Sequence, residues 1–307
     1  MKCSRCNDKA ITKMQHGHYC EKCFIHYIEK KVDNTITRNN LINKGENIGV
    51  AVSGGKDSLT VLYLVNKFMT RHRLGKPIAI TIDVGTENYK DNLNNVKLFC
   101  EKENIPSEII TYKESYGKSL VDFMKIRDDK KIKVHSCAFC GVLKRQTLNK
   151  MAKKLKFNVL VTGHNMDDEA QTVVMNFFKG NKDIMPRQGM FTTPRTNDFI
   201  RRIKPLYFIT NEETTLYTKL KGFSVRYDPC PYSEESYRED VKIMLNQFED
   251  KYPGTKNSIV NTFLHILPKI KEEPRETNIE IKKCKKCGEP STRDACKACE
   301  SIENLLK

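Results

Sequence analysis

The sequence predicts an α/β chain, a doubly wound parallel sheet with a small cysteine module at each end, on three observations. Short apolar runs alternate with stretches of helical periodicity through the middle of the 307 residues, the pattern of strands joined by crossover helices. The first run, Ile48 to Val52, stops at Gly54-Gly55 and passes at once into a helical pattern, as a strand does when it turns into a helix over an anion site. Eight of the twelve cysteines stand in paired Cys-x-x-Cys knuckles, Cys3, Cys6, Cys20 and Cys23 at the start and Cys284, Cys287, Cys296 and Cys299 at the end. Four thiolates complete a tetrahedral zinc shell, and segments this short have little else to fold around.

Hydrophobic residues make up 38% and charged residues 30% of the chain, the balance of a soluble globular protein with one sizeable core and smaller modules. No run of 18 apolar residues and no signal-peptide core follow Met1-Lys-Cys3, so the expected compartment is the cytoplasm, with no membrane partner. Cysteines in that setting read as ligands or catalysts rather than disulfides. The formal net charge of +16, from 54 Lys and Arg against 38 Asp and Glu, predicts attraction to a polyanion, which a small-molecule enzyme would not need. A basic proteome or another anionic surface would produce the same excess.

Taken in order, residues 1–27 form an N-terminal zinc finger. His16 and His18 lie in its loop and are left out of the shell, because four thiolates complete it. Phe24 to Ile42 read as a helix joining the finger to a catalytic domain of residues 28–268. In Ser53-Gly54-Gly55-Lys56-Asp57-Ser58 the glycines let backbone amides face one concavity at a helix start, with Lys56 beside it. The glycines are adjacent, so this is not the G-x-x-x-x-G-K-[ST] loop. The shorter cradle suits pyrophosphate, with Asp57 for the accompanying magnesium; an ordinary strand-to-helix turn is the plain alternative. Asp57 to His72 is the first helix and Lys76 to Asp83 the next strand. Asp83 at its carboxyl end is a candidate for the adenosine part of ATP and equally for capping the turn. Asn88 to Glu103 is a helix in which Cys100 is a buried small side chain, Ser107 to Thr111 a strand, and Ser119 to Arg127 a helix.

Cys137 and Cys140 open the next helix, to about Lys156, where the dipole and free amides favour thiolate, and Lys144 lies one turn further on. Alone, the pair fits a redox dithiol, half a zinc site or part of an iron-sulfur site. Cys230, between two prolines at the end of a strand from Phe223 to Tyr227, narrows the choice. If that strand end returns to the same edge, three thiolates converge, one short of a structural zinc shell and enough for a cubane with one iron open. A redox pair with an unrelated Cys230 is the alternative. The strand Asn158 to Gly163 exits into His164-Asn165-Met166-Asp167-Asp168-Glu169, whose acids stabilise a helix start. A doubly wound sheet also brings Gly163, His164 and Asp168 beside the first loop, with Asp168 facing the pocket and Glu169 facing water. Residues 181–197, with Arg187 and Arg195, read as a mobile basic loop and Arg201-Arg202-Ile-Lys204 as a positive patch, both candidates for RNA and equally for plain solvated surface. Thr210 and Glu213 form a capping box for a helix to Lys221. Helices from Ser233 to Tyr252 and Lys256 to Leu267 finish the domain, residues 269–283 are a linker, and residues 284–307 a C-terminal zinc finger.

Ser53 to Ser58 resembles the PP-loop of the ATP pyrophosphatase superfamily, with its adenine nucleotide alpha hydrolase-like fold, whose members split ATP between the α and β phosphates. Cys137-x-x-Cys140-Gly, Gly163-His-Asn-x-Asp-Asp168-x-Ala-Gln-Thr172, Asp228-Pro-Cys-Pro-Tyr232, Pro253-Gly-Thr-Lys256 and the two fingers narrow the resemblance to the archaeal and eukaryotic tRNA 2-thiouridine synthetases and their T-loop relatives. It spans nearly the whole chain and implies an ATP-dependent sulfurtransferase. By resemblance, Ser53, Gly54, Gly55, Lys56, Ser58, Asp83, Gly163 and His164 surround ATP, Asp57 holds magnesium, Lys144 and Asp168 are catalytic, and Cys137, Cys140 and Cys230 hold a 4Fe-4S cluster with one free iron. Lys144-Arg145 stands where the family often shows two arginines. The implied partners are tRNA, a second copy in a homodimer, and a sulfur donor, either a ubiquitin-like thiocarboxylate protein or inorganic sulfide. ATP would adenylate the uracil C2 oxygen, pyrophosphate would leave into the cradle, and sulfur delivered through the cluster would displace AMP. The expected target is the wobble uridine, position 34, because T-loop thiolation at position 54 goes with heat-adapted life and this chain is rich in Asn and Cys. Position 54 is the alternative, and a nucleotide-gated tRNA-binding module without chemistry is the alternative from a different class.

Overall fold

The computed structural model describes residues 1–14, 17–192, 198–225, 230–232, 236–272 and 281–307, without the side chains of residues 88 and 90. A hairpin of β1 (Thr12–Met14) and β2 (Gly17–Tyr19) leads into α1 (Glu21–Arg38). Cys20 is the N-cap of α1, so the helix begins at Glu21 rather than Phe24 and the second knuckle is itself the helix start. Phe24, Ile28, Val32 and Ile36 are buried along one face of α1, at the i, i+4 spacing of a helical stripe. Each contributes about 1.5–3 kcal/mol by leaving water.

Strands and helices then alternate as β3 (Ile48–Ala51), α2 (Lys56–Arg71), β4 (Ile78–Asp83), α3 (Glu87–Lys102), β5 (Ser107–Thr111), α4 (Tyr112–Tyr116), α5 (Leu120–Asp129), α6 (Ser136–Lys154), β6 (Val159–Val161), α7 (Met166–Phe178) and β7 (Arg201–Ile203). The strands form one parallel sheet in the order β5-β4-β3-β6-β7, the expected doubly wound class. The chain moves outward from β3 to β5 and then crosses to the other side of β3. The carboxyl ends of β3 and β6 therefore flank the switch point where such sheets bind ligands. Both strands are buried on both faces, hence their continuous apolar runs. At Gly49 an added Cβ would lie 2.4 Å from the Phe157 ring, so the sheet tolerates no side chain there.

After the sheet come α8 (Asn211–Leu220), α9 (Tyr237–Lys251), α10 (Thr255–Glu272), the hairpin of β8 (Lys282–Lys283) and β9 (Pro290–Ser291), and α11 (Lys297–Leu306). α7 packs on α9 and α10, with Val241, Leu245 and Val260 against Met166, Ala170 and Tyr207. α10 continues through Pro268 to Glu272, into the stretch expected as linker, because Leu267 and Ile270 join Val173 and Met185 in a small core. Residues 273–280, with the expected proline break, lie outside the described residues, as do Arg195, His16 and the start of the Ser233 helix. Phe223 to Val225 are not a strand. Phe223 instead plugs a cluster of Tyr63, Phe99 and Tyr217, and residues 226–229 lie outside the described set. Among the described residues no helix is long and apolar enough to cross a membrane.

One surface expectation is corrected. Glu169 does not face water: it is buried and pairs with Lys204 at 2.7 Å. Asp167 is likewise buried, 2.5 Å from Lys256 Nζ, and accepts the Asn211 amide at 2.8 Å. The acids of α7 thus tie it to β7, α8 and α10. In the Arg201-Arg202-Ile-Lys204 patch, Arg201 pairs with Glu46 at 2.7 Å, while Arg202 donates to the neutral Arg145 carbonyl at 3.3 Å and keeps its charge. Lys204→Met leaves the Glu169 carboxylate buried without its partner, and the expected loss is about 3 kcal/mol. Urea unfolding checks this as a lower midpoint at unchanged slope; an unmoved midpoint would mean the pair contributes nothing net.

Candidate functional site

β3 delivers Ser53 to Ser58 to the switch point. Gly54 takes φ +84°, and a Cβ there would lie 2.9 Å from Asn92 Cβ, so both backbone freedom and close approach to α3 require glycine. Ser58 Oγ donates to the Gly55 carbonyl at 2.8 Å and accepts the Ser53 amide at 3.2 Å, which closes the loop on itself. Lys56 Nζ is held 2.8 and 2.7 Å from the Asp57 carboxylate oxygens and 3.0 Å from Thr214 Oγ1 of α8. From β6, Gly163 approaches so closely that a Cβ would lie 3.0 Å from the Ser58 amide nitrogen. The expected neighbourhood of the two loops is therefore present, and its donors, amides and one lysine, are those a pyrophosphate needs.

Asn165 is the N-cap of α7. Its Oδ1 accepts the Asp168 amide at 3.1 Å, and its Nδ2 donates to Asp57 Oδ1 at 3.0 Å, so one side chain joins two candidate carboxylates. Asp168 Oδ2 accepts the Asn165 amide at 3.1 Å, and Arg238 Nη1 of α9 stands 3.7 Å from Asp168 Oδ1. Arg238 also donates to Gln171 Oε1 at 3.3 Å and Thr172 Oγ1 at 3.0 Å. Sequence reasoning missed Arg238, Thr214 and the linking role of Asn165. His164 Nδ1 is 2.9 Å from Thr162 Oγ1. The residue is exposed, yet desolvation by the surrounding protein lowers its pKa below the usual value, with Asp168 opposing that shift.

Cys137 and Cys140 lie at the head of α6, whose N-cap is His135. The Cys137 thiol donates to the Tyr232 carbonyl at 3.1 Å, so the described residues 230–232 do return to this helix end. Tyr89 of α3 connects the group. Burial first, then the negative charges of Cys140, Asp83 and Cys230, push its phenol pKa up, and Lys144 Nζ stands 5.9 Å from its ring centroid. Asp83 also caps its turn, accepting the Gly85 amide at 2.7 Å. Tyr89 is one helical turn from Asn92, which abuts Gly54, so one face of α3 runs from Lys144 to the phosphate loop. Sequence reasoning missed Tyr89 as well.

Each terminal cysteine set has its four sulfurs within 4.8 Å of one another, whereas Cys137, Cys140 and Cys230 do not form such a group. The terminal spacing fits one tetrahedral ion. In the fingers, Cys6 lies 3.5 Å from Cys20 and 3.4 Å from Cys23, and Cys287 3.6 Å from Cys296. Burial opposes ionisation of Cys3 and Cys284, but nearby backbone amides outweigh it and bring each thiol down to about 6, whereas Cys6, Cys23, Cys287 and Cys299 are pushed up beside the other sulfurs, so holding all four as thiolates needs an ion. His18 stays out of the sulfur shell, as expected. None of the twelve cysteines is in a disulfide. A cleft of about 670 Å³ opens elsewhere, between α1, α8 and the α9–α10 turn, and no phosphate-loop or site cysteine lines it.

A PP-loop domain family matches residues 25–247. The chain is 34% identical over 308 residues to the tRNA-5-methyluridine(54) 2-sulfurtransferase of Pyrococcus horikoshii, covering 98% of this chain and 93% of that one. It is 31% identical over 293 residues to the Cytoplasmic tRNA 2-thiolation protein 1 of Candida glabrata, covering 94% and 81%. Among solved structures, the U34-tRNA thiolase NcsA from Methanococcus maripaludis with its [4Fe-4S] cluster superposes with a TM-score of 0.83 at 31% identity, over 99% of this chain and 96% of that one. With its phosphate loop at the sheet's switch point, a PP-loop domain match over most of its length and relatives that it covers almost end to end, the chain belongs to the PP-loop family, in the branch of the tRNA 2-thiolation enzymes.

Proposed function

We propose that this protein replaces the C2 oxygen of the tRNA wobble uridine with sulfur in an ATP-dependent reaction. The observation that carries this reading is that α3 reaches from Asn92, which abuts Gly54, to Tyr89, whose ring lies 5.9 Å from Lys144 Nζ on the helix that Cys137 and Cys140 open, so that adenylation and sulfur delivery address one substrate. Likeness to a U34-tRNA thiolase over nearly the whole length supports it, and the +16 charge suits a polyanionic partner.

Bound magnesium ATP supplies the adenylyl group, and a 4Fe-4S cluster on Cys137, Cys140 and Cys230 supplies the seat for incoming sulfur. The chain's own residues do the rest. The amides of Ser53 to Ser58 and Lys56 hold the β and γ phosphates of bound ATP and then the leaving pyrophosphate; with Lys56 drawn to the phosphates, the Asp57 carboxylate would be free for magnesium from the start. Asn165 and Arg238 fix Asp168. Lys144, beside the thiols, offsets negative charge that develops as the C2 oxygen attacks phosphorus. Asp83, Gly163 and His164 border the nucleotide. Zinc in the two fingers, a homodimer, a cytoplasmic setting and a division at residues 1–27, 28–268, 269–283 and 284–307 belong to the same reading. The sulfur comes from a ubiquitin-like thiocarboxylate protein or from sulfide.

In a strain lacking the gene, nuclease digestion and mass mapping of tRNA are expected to show 2-thiouridine gone from the anticodon and restored by the cloned gene. Persistence there with loss from the T loop would establish position 54 instead. Unchanged thiolation at both positions would favour a binding module without chemistry.

A further inference from the structure

We propose that Gln146 is a positioning residue that couples the C-terminal four-cysteine metal site to Cys140, so that the state of one metal site sets the surroundings of the other. This rests on the cluster reading above. Gln146 Nε2 donates to Cys287 Sγ at 3.3 Å and to Cys296 Sγ at 3.1 Å. Thiolates only accept, so the amide NH₂ must face them and Oε1 must face away. There it meets the Tyr116 hydroxyl at 3.1 Å, which also lies 3.0 Å from the Leu143 carbonyl and 2.9 Å from Thr147 Oγ1. Tyr116 packs edge-on against Tyr112 with ring centroids 5.5 Å apart. The Tyr112 hydroxyl in turn donates to the Cys140 carbonyl at 3.0 Å and sits 3.5 Å from its sulfur.

The two tyrosines stand at opposite ends of the five-residue α4 and grip α6 at two heights, one at Cys140 and one at Gln146. The finger rests on that same helix: Cys284, Cys296, Ala298 and Leu305 share a core with Phe139 and Leu143, and Asn149 Nδ2 donates to Glu289 Oε2 at 2.9 Å. An ion would fix Cys287 and Cys296 as acceptors for the Gln146 amide; without one the two side chains are free to turn, and the hold of Gln146 on Tyr116 relaxes. The N-terminal finger sits elsewhere, with α1 packed on α8 and α2, and so provides an internal reference.

Gln146→Met keeps side-chain length and removes the amide. On full-length protein purified without air, zinc transfer to a colorimetric chelator is expected to accelerate about 10–100-fold for one of the two ions. Iron content should stay at the wild-type value while the electron paramagnetic resonance spectrum and reduction potential of the cluster shift. Tyr116→Phe, which keeps the ring and loses the hydroxyl, should reproduce part of the spectral shift, and it decides the matter alone if Gln146→Met does not fold. Faster zinc loss with a wild-type spectrum and potential in these variants overturns the coupling and leaves the cluster reading standing. Wild-type protein that assembles no cluster overturns that reading, and the coupling with it.

Discussion

Asp57→Asn is expected to lower AMP and pyrophosphate formation by about 10²–10³-fold while the fold and metal content stay unchanged. The substitution keeps an oxygen that can accept from Asn165 Nδ2, so the 3.0 Å bond between the two loops survives. What it removes is the charge that now holds Lys56 and that would bind magnesium once Lys56 turns to phosphate. Asp57→Ala, which also breaks the loop contact, should be at least as inactive and less stable. Chromatographic separation of nucleotides with tRNA and magnesium ATP reads the result. Steady ADP without AMP from the wild type would sink cleavage between the α and β phosphates altogether.

Cys230→Ala is expected to reduce thiolation to background and to remove the cluster's iron, with both terminal four-cysteine sets still loaded. Cys137 and Cys230 are exposed and Cys140 half-buried, so no hydrophobic core collapses when one sulfur is lost, and circular dichroism should be unaltered. Metal analysis after anaerobic purification tests the assignment without reference to activity. A third zinc per chain and no iron would make this a structural site, and ready alkylation of Cys137 in the wild type would make it a redox dithiol.

What could be read from the sequence was local. Ile48 to Val52 ending at two glycines, and Cys-x-x-Cys pairs that turn out to begin helices at Cys20 and Cys296, carry their meaning within a few residues. What could not be read was decided by partners far along the chain. Arg-Arg-Ile at 201–203 has the composition of a wet surface, yet pairing with β6 makes it an edge strand. Glu169 looks like a solvated helix-start acid until Lys204 is brought over it. Arg238 reaches Asp168 across a sequence gap of 70, and no periodicity marks it. Phe223 belongs to an apolar run that suits a strand, but an aromatic hole between α2, α3 and α8 claimed it first. α4 was missed because its signal, the Thr111 and Glu114 capping box, opens a helix barely longer than one turn.

The seating of the C-terminal finger on α6 also imposes a schedule on the newborn chain. Gln146 and Cys287 are 141 residues apart, and at ribosomal speed that distance takes roughly 7–28 s to make. The sheet core that supports the phosphate loop, from Tyr19 to Tyr217, is complete well before then. The face of α6 bearing Phe139 and Leu143 is not, since its cover of Cys284, Ala298 and Leu305 has yet to emerge. Translation thus yields a nucleotide half that can settle early and a sulfur half that stays open until its last metal ligands arrive. A ribosome stalled between the two would release a chain with a sound phosphate loop and a wet, adhesive helix, the kind of product that chaperones retain.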